Sequence, residues 1–318
     1  MRILVSGGAG FIGSTLVDRL LADGAEVIAL DNFDSFYAES RKRANLVSAL
    51  KNRRFRLVEG DVRDRGLVRT LVDDFAPDAI AHLAAKAGVR PSIDEPFECA
   101  DVNVNGTVNL LEAACRLTSL PRFVYASSSS VYGDRHDAPF RETDRVDRPI
   151  SPYAASKKAT ELFAQTFHHL HGLPITGLRF FTAYGPRNRP DLAVAKFTRL
   201  IDRGEPVPMF GDGSTRRDYT YVDDIADGVT RAIDRCRSNH LYNLGNSSPI
   251  SLLTMISEIG NALGKPPLID RRPEQPGDVR QTFADIHLAE SELGYAPRTP
   301  FREGIANYVE WYRENEGR

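Results

Sequence analysis

Residues 1–31 read MRILVSGGAGFIGSTLVDRLLADGAEVIALD, and this stretch decides the fold. Residues 2–6 (RILVS) form a short apolar run of strand type. Gly7-Gly8-Ala9-Gly10-Phe11-Ile12-Gly13 follows as a glycine-rich turn, and an apolar-periodic helix then runs to about Asp23, where Gly24 stops it. EVIAL, residues 26–30, is a second buried strand ending in Asp31. Strand, G-x-x-G-x-x-G turn, helix, strand and terminal acid make the dinucleotide-binding fingerprint. Glycines let the backbone approach a pyrophosphate, whose charge meets the positive end of the helix dipole. Asp31 would accept hydrogen bonds from the adenosine ribose hydroxyls and repel a 2′-phosphate, which favours NAD over NADP. No Gly-Lys-Ser/Thr follows the glycines, which argues against a Walker-type phosphate loop.

Outward from this unit the strand–helix alternation continues. RFRLV (54–58) reads as a strand, with Asp61 and Val62 just past its end, where Asp61 would meet the adenine. DAIAHLAA (78–85) is another, and its end, Leu83-Ala84-Ala85, would pass under the cofactor. A helix is expected over about residues 97–118, then strands at 122–130 (RFVYASSSS) and 174–181 (PITGLRFF). Repetition of this kind implies an α/β, doubly wound parallel Rossmann sheet with ligands at the carboxyl ends of the strands. The expected cofactor site is therefore Gly7, Gly10, Phe11, Ile12, Gly13, Asp31 with its neighbour Asn32, Asp61, Val62 and residues 83–85.

After about residue 180 the prolines at 186, 190, 206 and 208 break up the pattern, with helices expected near 192–203, 222–235, 251–263 and 301–315. The division this suggests is an NAD-binding domain over 1–178, with returning segments near 217–245 and 282–295. Residues 179–318 would form a smaller, partly interleaved C-terminal α/β substrate domain.

The chemistry is expected at Pro152-Tyr153-Ala154-Ala155-Ser156-Lys157. Ser151 can cap a helix that has Pro152 at its first position, and no Gly or Pro interrupts it before Gly172. Tyr153 and Lys157 then lie one turn apart on one face. A free phenol titrates near pH 10, and a nearby ammonium lowers that value, making the tyrosine a usable acid/base.

Bulk composition narrows the rest. The chain has 318 residues, 42% hydrophobic and 26% charged, with a net charge of −2. That balance gives no footprint for nucleic acid or an anionic membrane. The three cysteines are scattered without metal-ligand spacing, so no metal site and a reducing, cytoplasmic setting are expected. No run approaches the roughly 18 apolar residues of a membrane span. A lone His82 inside an apolar strand reads as core, and His168, His169 and His171 as helix-end polar residues. Asp223-Asp224 reads as an N-cap and first-turn acid, and Phe197, Leu200 and Ile201 as core at helical spacing.

With GGAGFIG, Asp31, the serine run and the YxxxK in hand, the chain resembles the extended short-chain dehydrogenase/reductase family over nearly its whole length. The resemblance implies NAD on the N-terminal sheet, a nucleotide-sugar in the C-terminal part, and a homodimer through the helices near 97–118 and 153–170. Tyr153 matches the catalytic tyrosine and Lys157 the lysine that holds the nicotinamide ribose. Ser128, 25 positions before the tyrosine, matches the catalytic serine of the sugar 4-epimerases. Dehydratases of the family carry an Asp-Glu pair where this chain has Ser129-Ser130, so dehydration lacks its acid and base. Among the 4-epimerases the chain looks most like those acting on UDP-glucuronate, through AGVRPSIDEP (87–96), SSSSVYG, RFFTAYGPRNRPDLA (179–193) and GDGSTRRDYTYVDD (211–224).

The resemblance places Ser129, Ser130, Thr182, Arg189 and Arg90 near the sugar, Arg217 on the UDP diphosphate and Asp278 near the nucleotide ribose. It implies UDP-glucuronate/UDP-galacturonate interconversion by transient oxidation at C4, a 4-keto intermediate, and return of hydride to the opposite face. UDP-glucose 4-epimerase and UDP-glucuronate decarboxylase are the alternatives on the same scaffold, and a non-catalytic NAD-binding module is the one from another class.

Overall fold

The structure is a computed structural model that describes residues 1–135, 137–273 and 280–317. The opening unit folds as β1 (Arg2–Ser6), α1 (Phe11–Ala22) and β2 (Glu26–Asp31). Then come α2 (Glu39–Asn45), β3 (Phe55–Glu59), α3 (Arg65–Phe75), β4 (Ala79–His82), α4 (Val89–Asp94) and α5 (Pro96–Ala100). The expected helix over 97–118 is continuous but changes pitch. A π-helical turn, Asp101–Asn105, separates α5 from α6 (Gly106–Arg116).

Beyond it lie β5 (Arg122–Ser128), α7 (Pro152–His171) and β6 (Ile175–Phe180). Together with β10 (Asn239–Leu244) the strands form one sheet in the order β10-β6-β5-β4-β1-β2-β3. Every pairing in it is parallel. The strand order reverses between β1 and β4, which opens a crevice at their carboxyl ends. Helices cover both faces, as a buried parallel sheet requires. One apolar layer holds Leu16, Val17 and Leu20 of α1 with Ile225, Val229 and Ile233 from α9 (Val222–Arg235). The other holds Val68 and Val72 of α3 with Leu110 and Leu111 of α6.

A third core lies apart from the sheet. It is built from α8 (Ala193–Asp202), α10 (Leu252–Leu263) and α12 (Phe301–Asn315), with Phe197 and Ile201 buried and Leu200 packed against them. Short strands complete it. β7 (Thr182–Tyr184), β9 (Arg216–Tyr221) and β11 (Pro249–Ser251) form one small sheet, and β8 (Val207–Phe210) pairs with β12 (Ile269–Arg272). The chain returns from this lobe twice, as α9 with β10 and as α11 (His287–Leu293), whose Ala289 and Leu293 join the first core. Asp223 and Asp224 sit in the first turn of α9, but Tyr221 is its N-cap; Asp224 instead accepts the backbone N–H of Arg298 at 3.0 Å and of Thr299 at 3.1 Å.

Candidate active site

The glycine turn is shaped by crowding. Gly7 has φ of +72°, and a Cβ there would lie 2.7 Å from the Ala84 nitrogen; one on Gly13 would lie 2.0 Å from the Gly7 carbonyl oxygen. The Asp31 carboxylate, 7% exposed, accepts the backbone N–H of Ala9 at 3.0 Å and of Phe33 at 2.9 Å, so the acid also pins the turn beside it.

α7 begins as its sequence requires. Ser151 Oγ accepts the Ala154 N–H at 3.1 Å, Pro152 occupies the first turn, and Gly172 ends the helix at φ +69°. Ser92 on α4 accepts the Tyr153 N–H at 3.0 Å, satisfying a second amide of the open first turn. His168 Nδ1 lies 2.8 Å from the Leu173 carbonyl oxygen at the other end. One turn after Lys157, buried Glu161 takes both Nε and Nη2 of buried Arg179, at 2.8 and 2.9 Å, and accepts the Ser127 hydroxyl at 2.7 Å. This ion pair ties the helix to β6 and to the end of β5.

One cavity of about 480 Å³ runs from the glycine turn to the start of α7. Gly7, Gly10, Phe11, Ile12, Gly13, Asp31, Asn32, Val62, Leu83, Ala84 and Ala85 line one part of it. Ser128, Ser129, Ser130, Tyr153, Lys157, Thr182 and Arg189 line the other. A backbone cradle that excludes Cβ atoms, with a buried carboxylate at the end of β2, fits a dinucleotide. Asp61, expected against the adenine, does not line the cavity: Arg63 holds it at 2.8 Å and Asn32 Nδ2 donates to it at 2.9 Å. The Arg63 hydrogen bonds drive its pKa down to about 2.

The catalytic candidates differ from expectation in their electrostatics. Lys157 is buried, donates from Nζ to the Ala126 carbonyl at 2.7 Å, and sits 5.9 Å from the centre of the Tyr153 ring. Burial brings its pKa down to about 8. The Tyr153 phenol is raised, not lowered: desolvation outweighs everything else. The groups that favour its phenolate here are the Ser128 hydroxyl, through a hydrogen bond, and the charge of Arg189. Ser128 Oγ also accepts the Ser130 N–H at 3.2 Å and lies 3.1 Å from Ser130 Oγ, at the head of a short 3-10 turn.

Arg189 reaches the cavity with its fork already engaged. Nε and Nη2 donate to Asp191 at 3.0 and 2.8 Å, over the Phe36 ring at 5.3 Å. Arg90 is exposed on α4 and Arg217 half-buried on β9, and neither lines the cavity. Asp278 lies outside the described residues.

The structure adds groups that the sequence reading passed over. Lys86 lines the cavity with its ammonium 3.3 Å from Asp34, 3.6 Å from Glu95 and 3.6 Å from Glu98. Lys42 donates to the Asp34 carbonyl at 2.8 Å, and burial lowers its pKa. Phe36 and Tyr37 complete the rim. The available signal was the dense DSFYAESRK after Asp31, too irregular to assign by period. Among the described residues no group of His, Cys, Asp and Glu could hold a metal ion, and no helix is long and apolar enough to cross a membrane.

Comparison with known proteins agrees with this geometry. Residues 4–308 match the profile of the family described as GDP-mannose 4,6-dehydratase. The chain is 41% identical to UDP-glucuronate 4-epimerase 1 of Arabidopsis thaliana, across 98% of this chain and 76% of that one. It is 33% identical to the Bacillus cereus UDP-glucuronic acid 4-epimerase, crystallised with UDP-glucuronic acid and NAD, with a TM-score of 0.92 and 99% of both chains covered. It is also 34% identical to the Thermotoga maritima UDP-glucose 4-epimerase, crystallised with UDP-glucose, with a TM-score of 0.89 and 99% of both chains covered. The glycine cradle, the acid at the end of β2, the Tyr153–Lys157 helix and these full-length likenesses together place the chain in the extended short-chain dehydrogenase/reductase family, as an NAD-dependent nucleotide-sugar epimerase.

Proposed function

We propose that the chain interconverts UDP-glucuronate and UDP-galacturonate at C4. The observation that carries this reading is that Arg189, Thr182, Ser129 and Ser130 line the same cavity as Tyr153, Lys157 and Ser128. A guanidinium and three hydroxyls suit a sugar carboxylate, whereas the acid and base that dehydration needs are missing from residues 129–130. NAD bound in the glycine cradle would supply the hydride acceptor and donor for C4. Tyr153 removes the proton of the C4 hydroxyl and later returns it. Ser128 hydrogen-bonds both that phenol and the sugar oxygen, and Lys157 holds the cofactor ribose.

A neutral UDP-hexose is the second reading, and one observation favours it: Asp191 already occupies the Nε/Nη2 edge of Arg189, so that edge is not open to a sugar carboxylate. Incubating purified protein separately with UDP-glucuronate and UDP-glucose, and resolving the products by chromatography, decides between them. Turnover of UDP-glucose alone overturns the hexuronate reading.

We also propose a homodimer through the helices over 97–118 (α5, the π-helical turn and α6) and α7. Phe97 on α5 is 84% exposed, Ile93 on α4 61%, and Leu162 and Leu170 on α7 58% and 66%. Burying such side chains against a second copy removes them from water. Phe97→Glu should convert the dimer to monomer in light scattering; an unchanged mass rejects this interface. A reducing setting is proposed with it, since Cys99, Cys115 and Cys236 are all free thiols.

A further inference from the structure

β1 and β4 lie side by side in register, which sets Ser6 directly opposite His82. The His82 ring is buried and bonded on both nitrogens. Ser6 Oγ is 2.6 Å from Nδ1, and Thr107 Oγ1 on α6 is 2.9 Å from Nε2. The neighbours fix which atom carries each proton. Thr107 donates its only hydroxyl proton to the Asn103 carbonyl at 2.5 Å, because a carbonyl can only accept. Thr107 must therefore accept from His82, which places the ring proton on Nε2. A neutral ring then leaves Nδ1 as an acceptor for the Ser6 hydroxyl proton. Ser6 Oγ in turn accepts the Ala84 N–H at 3.3 Å. Burial, together with the nearby Lys157 charge, pushes the His82 pKa down to about 3, so the ring stays neutral.

This one-way chain ends on the π-helical turn, and Asn103 on that turn is itself a clamp. Its Oδ1 accepts the Lys86 N–H at 2.8 Å, and Nδ2 donates to the Lys86 carbonyl at 3.2 Å and to Ser156 Oγ at 2.9 Å. Ser156 then donates to the Tyr153 carbonyl at 2.8 Å. Ser6 adjoins Gly7, residues 84–86 line the cavity, and Tyr153 begins the catalytic helix.

We propose that His82 is a positioning residue, locked as the neutral Nε2–H tautomer, that registers the glycine turn and the loop at 84–86 with the start of α7. It touches neither sugar nor cofactor. Its work is to hold the cofactor cradle and Tyr153 at a fixed separation through Thr107 and Asn103. The proposal rests on the family's use of NAD and not on which sugar is epimerised.

The test uses holoenzyme and whichever UDP-sugar it turns over. His82→Leu leaves the Ser6 and Thr107 hydroxyls without their partner. Its kcat should fall about tenfold or more, as small misplacements of reacting groups do. Its KM for the UDP-sugar should stay within about twofold, since the chain of bonds never reaches the sugar, and NAD should be lost on gel filtration. His82→Gln offers one acceptor and one donor and should restore most of both properties. Thr107→Val should reproduce the loss, and the double variant should lose no more than either single one. Ring-nitrogen NMR of histidine-labelled protein should show one residue, absent from His82→Gln, that keeps its Nε2 proton from about pH 5 to about pH 8. A His82→Leu enzyme that melts earlier but keeps kcat and NAD would overturn the proposal, and so would a His82 ring that titrates or carries its proton on Nδ1. If His82→Leu does not fold, the NMR signature and a His82→Gln enzyme without rescue remain able to reject it.

Discussion

Arg189 closes its guanidinium on Asp191, two residues further along the same loop, with Nε–H to Oδ1 at 3.0 Å and Nη2–H to Oδ2 at 2.8 Å. A sugar carboxylate must therefore use the other guanidinium edge or displace Asp191. In both cases the positive charge is what it meets. Arg189→Ala should raise the KM for UDP-glucuronate about ten- to a hundredfold, from charge-assisted hydrogen bonds worth roughly 1.5–3 kcal/mol. The same variant should change the KM for UDP-glucose by no more than about twofold. Equal effects on both sugars in steady-state kinetics would take Arg189 off the carboxylate.

Tyr153→Phe keeps the ring volume and removes the proposed proton carrier. Turnover should fall below about a tenth of wild type while the binding of NAD and UDP-sugar, followed by calorimetry, stays nearly unchanged. A variant that retains more activity than that would show that the phenol is not the base.

Lys157 and Tyr153 titrate in an unusual order. Burial brings Lys157 down to about 8 and raises Tyr153 above its ordinary value, so on raising the pH the ammonium is lost first. Protein stripped of cofactor should show no phenolate absorbance difference against Tyr153→Phe below about pH 10. A phenolate step near neutrality would mean that Lys157 or Ser128 stabilises the anion far more than desolvation opposes it.

Asp218 is wholly buried and takes three backbone N–H groups, from Asn246, Ser247 and Ala284, at 2.7, 3.1 and 3.0 Å. Burial nevertheless lifts its pKa to about 6. The folded state thus binds this proton more tightly than the unfolded chain. Stability contributed by the group falls as pH rises from about 4 to about 6, and a cost of about 3 kcal/mol persists above that. In urea unfolding, wild type should gain stability relative to Asp218→Asn on going from pH 7 to about pH 4.5. A difference independent of pH would contradict the assignment.

Glu161 and Arg179 form the most buried ion pair among the described residues, each side chain 2% exposed. Glu161→Gln leaves that guanidinium without its countercharge and should cost about 3 kcal/mol or more, read as a lower denaturant midpoint. Arg179 and Glu161 replaced together by apolar residues should lose less than Glu161→Gln alone.

The sequence exposed the parts of this protein whose instructions are local. The glycine turn, the acid at Asp31 and the capped start of α7 at Ser151-Pro152 each follow from a few adjacent residues, and all three stand where the pattern put them. The short strands β7, β8, β9, β11 and β12 escaped because runs of only three to six residues carry no usable period. Site electrostatics escaped for another reason. Spacing places Lys157 one turn from Tyr153, but it cannot say that both are desolvated, or that Lys157 spends a bond on the Ala126 carbonyl. The clamp made by Asn103 was equally hidden, since it depends on a π-helical turn and on contacts across 17 and 53 residues.

The last strand of the parallel sheet, β10, has a consequence for how the chain is made. It pairs with β6 in register from Asn239 to Leu244, although β6 ends at Phe180. A nascent chain emerging from the ribosome therefore presents β6 as an open edge while some sixty further residues are still being synthesised. Exposed parallel edges of apolar strands recruit other strands, and folding by units favours whatever is available first. The sequence β6 shows to that interval, ITGLRF, carries a charge only at Arg179, and Glu161 on the already finished helix draws that charge inward. Translation speed between residues 180 and 244 thus sets how long this edge stands unguarded.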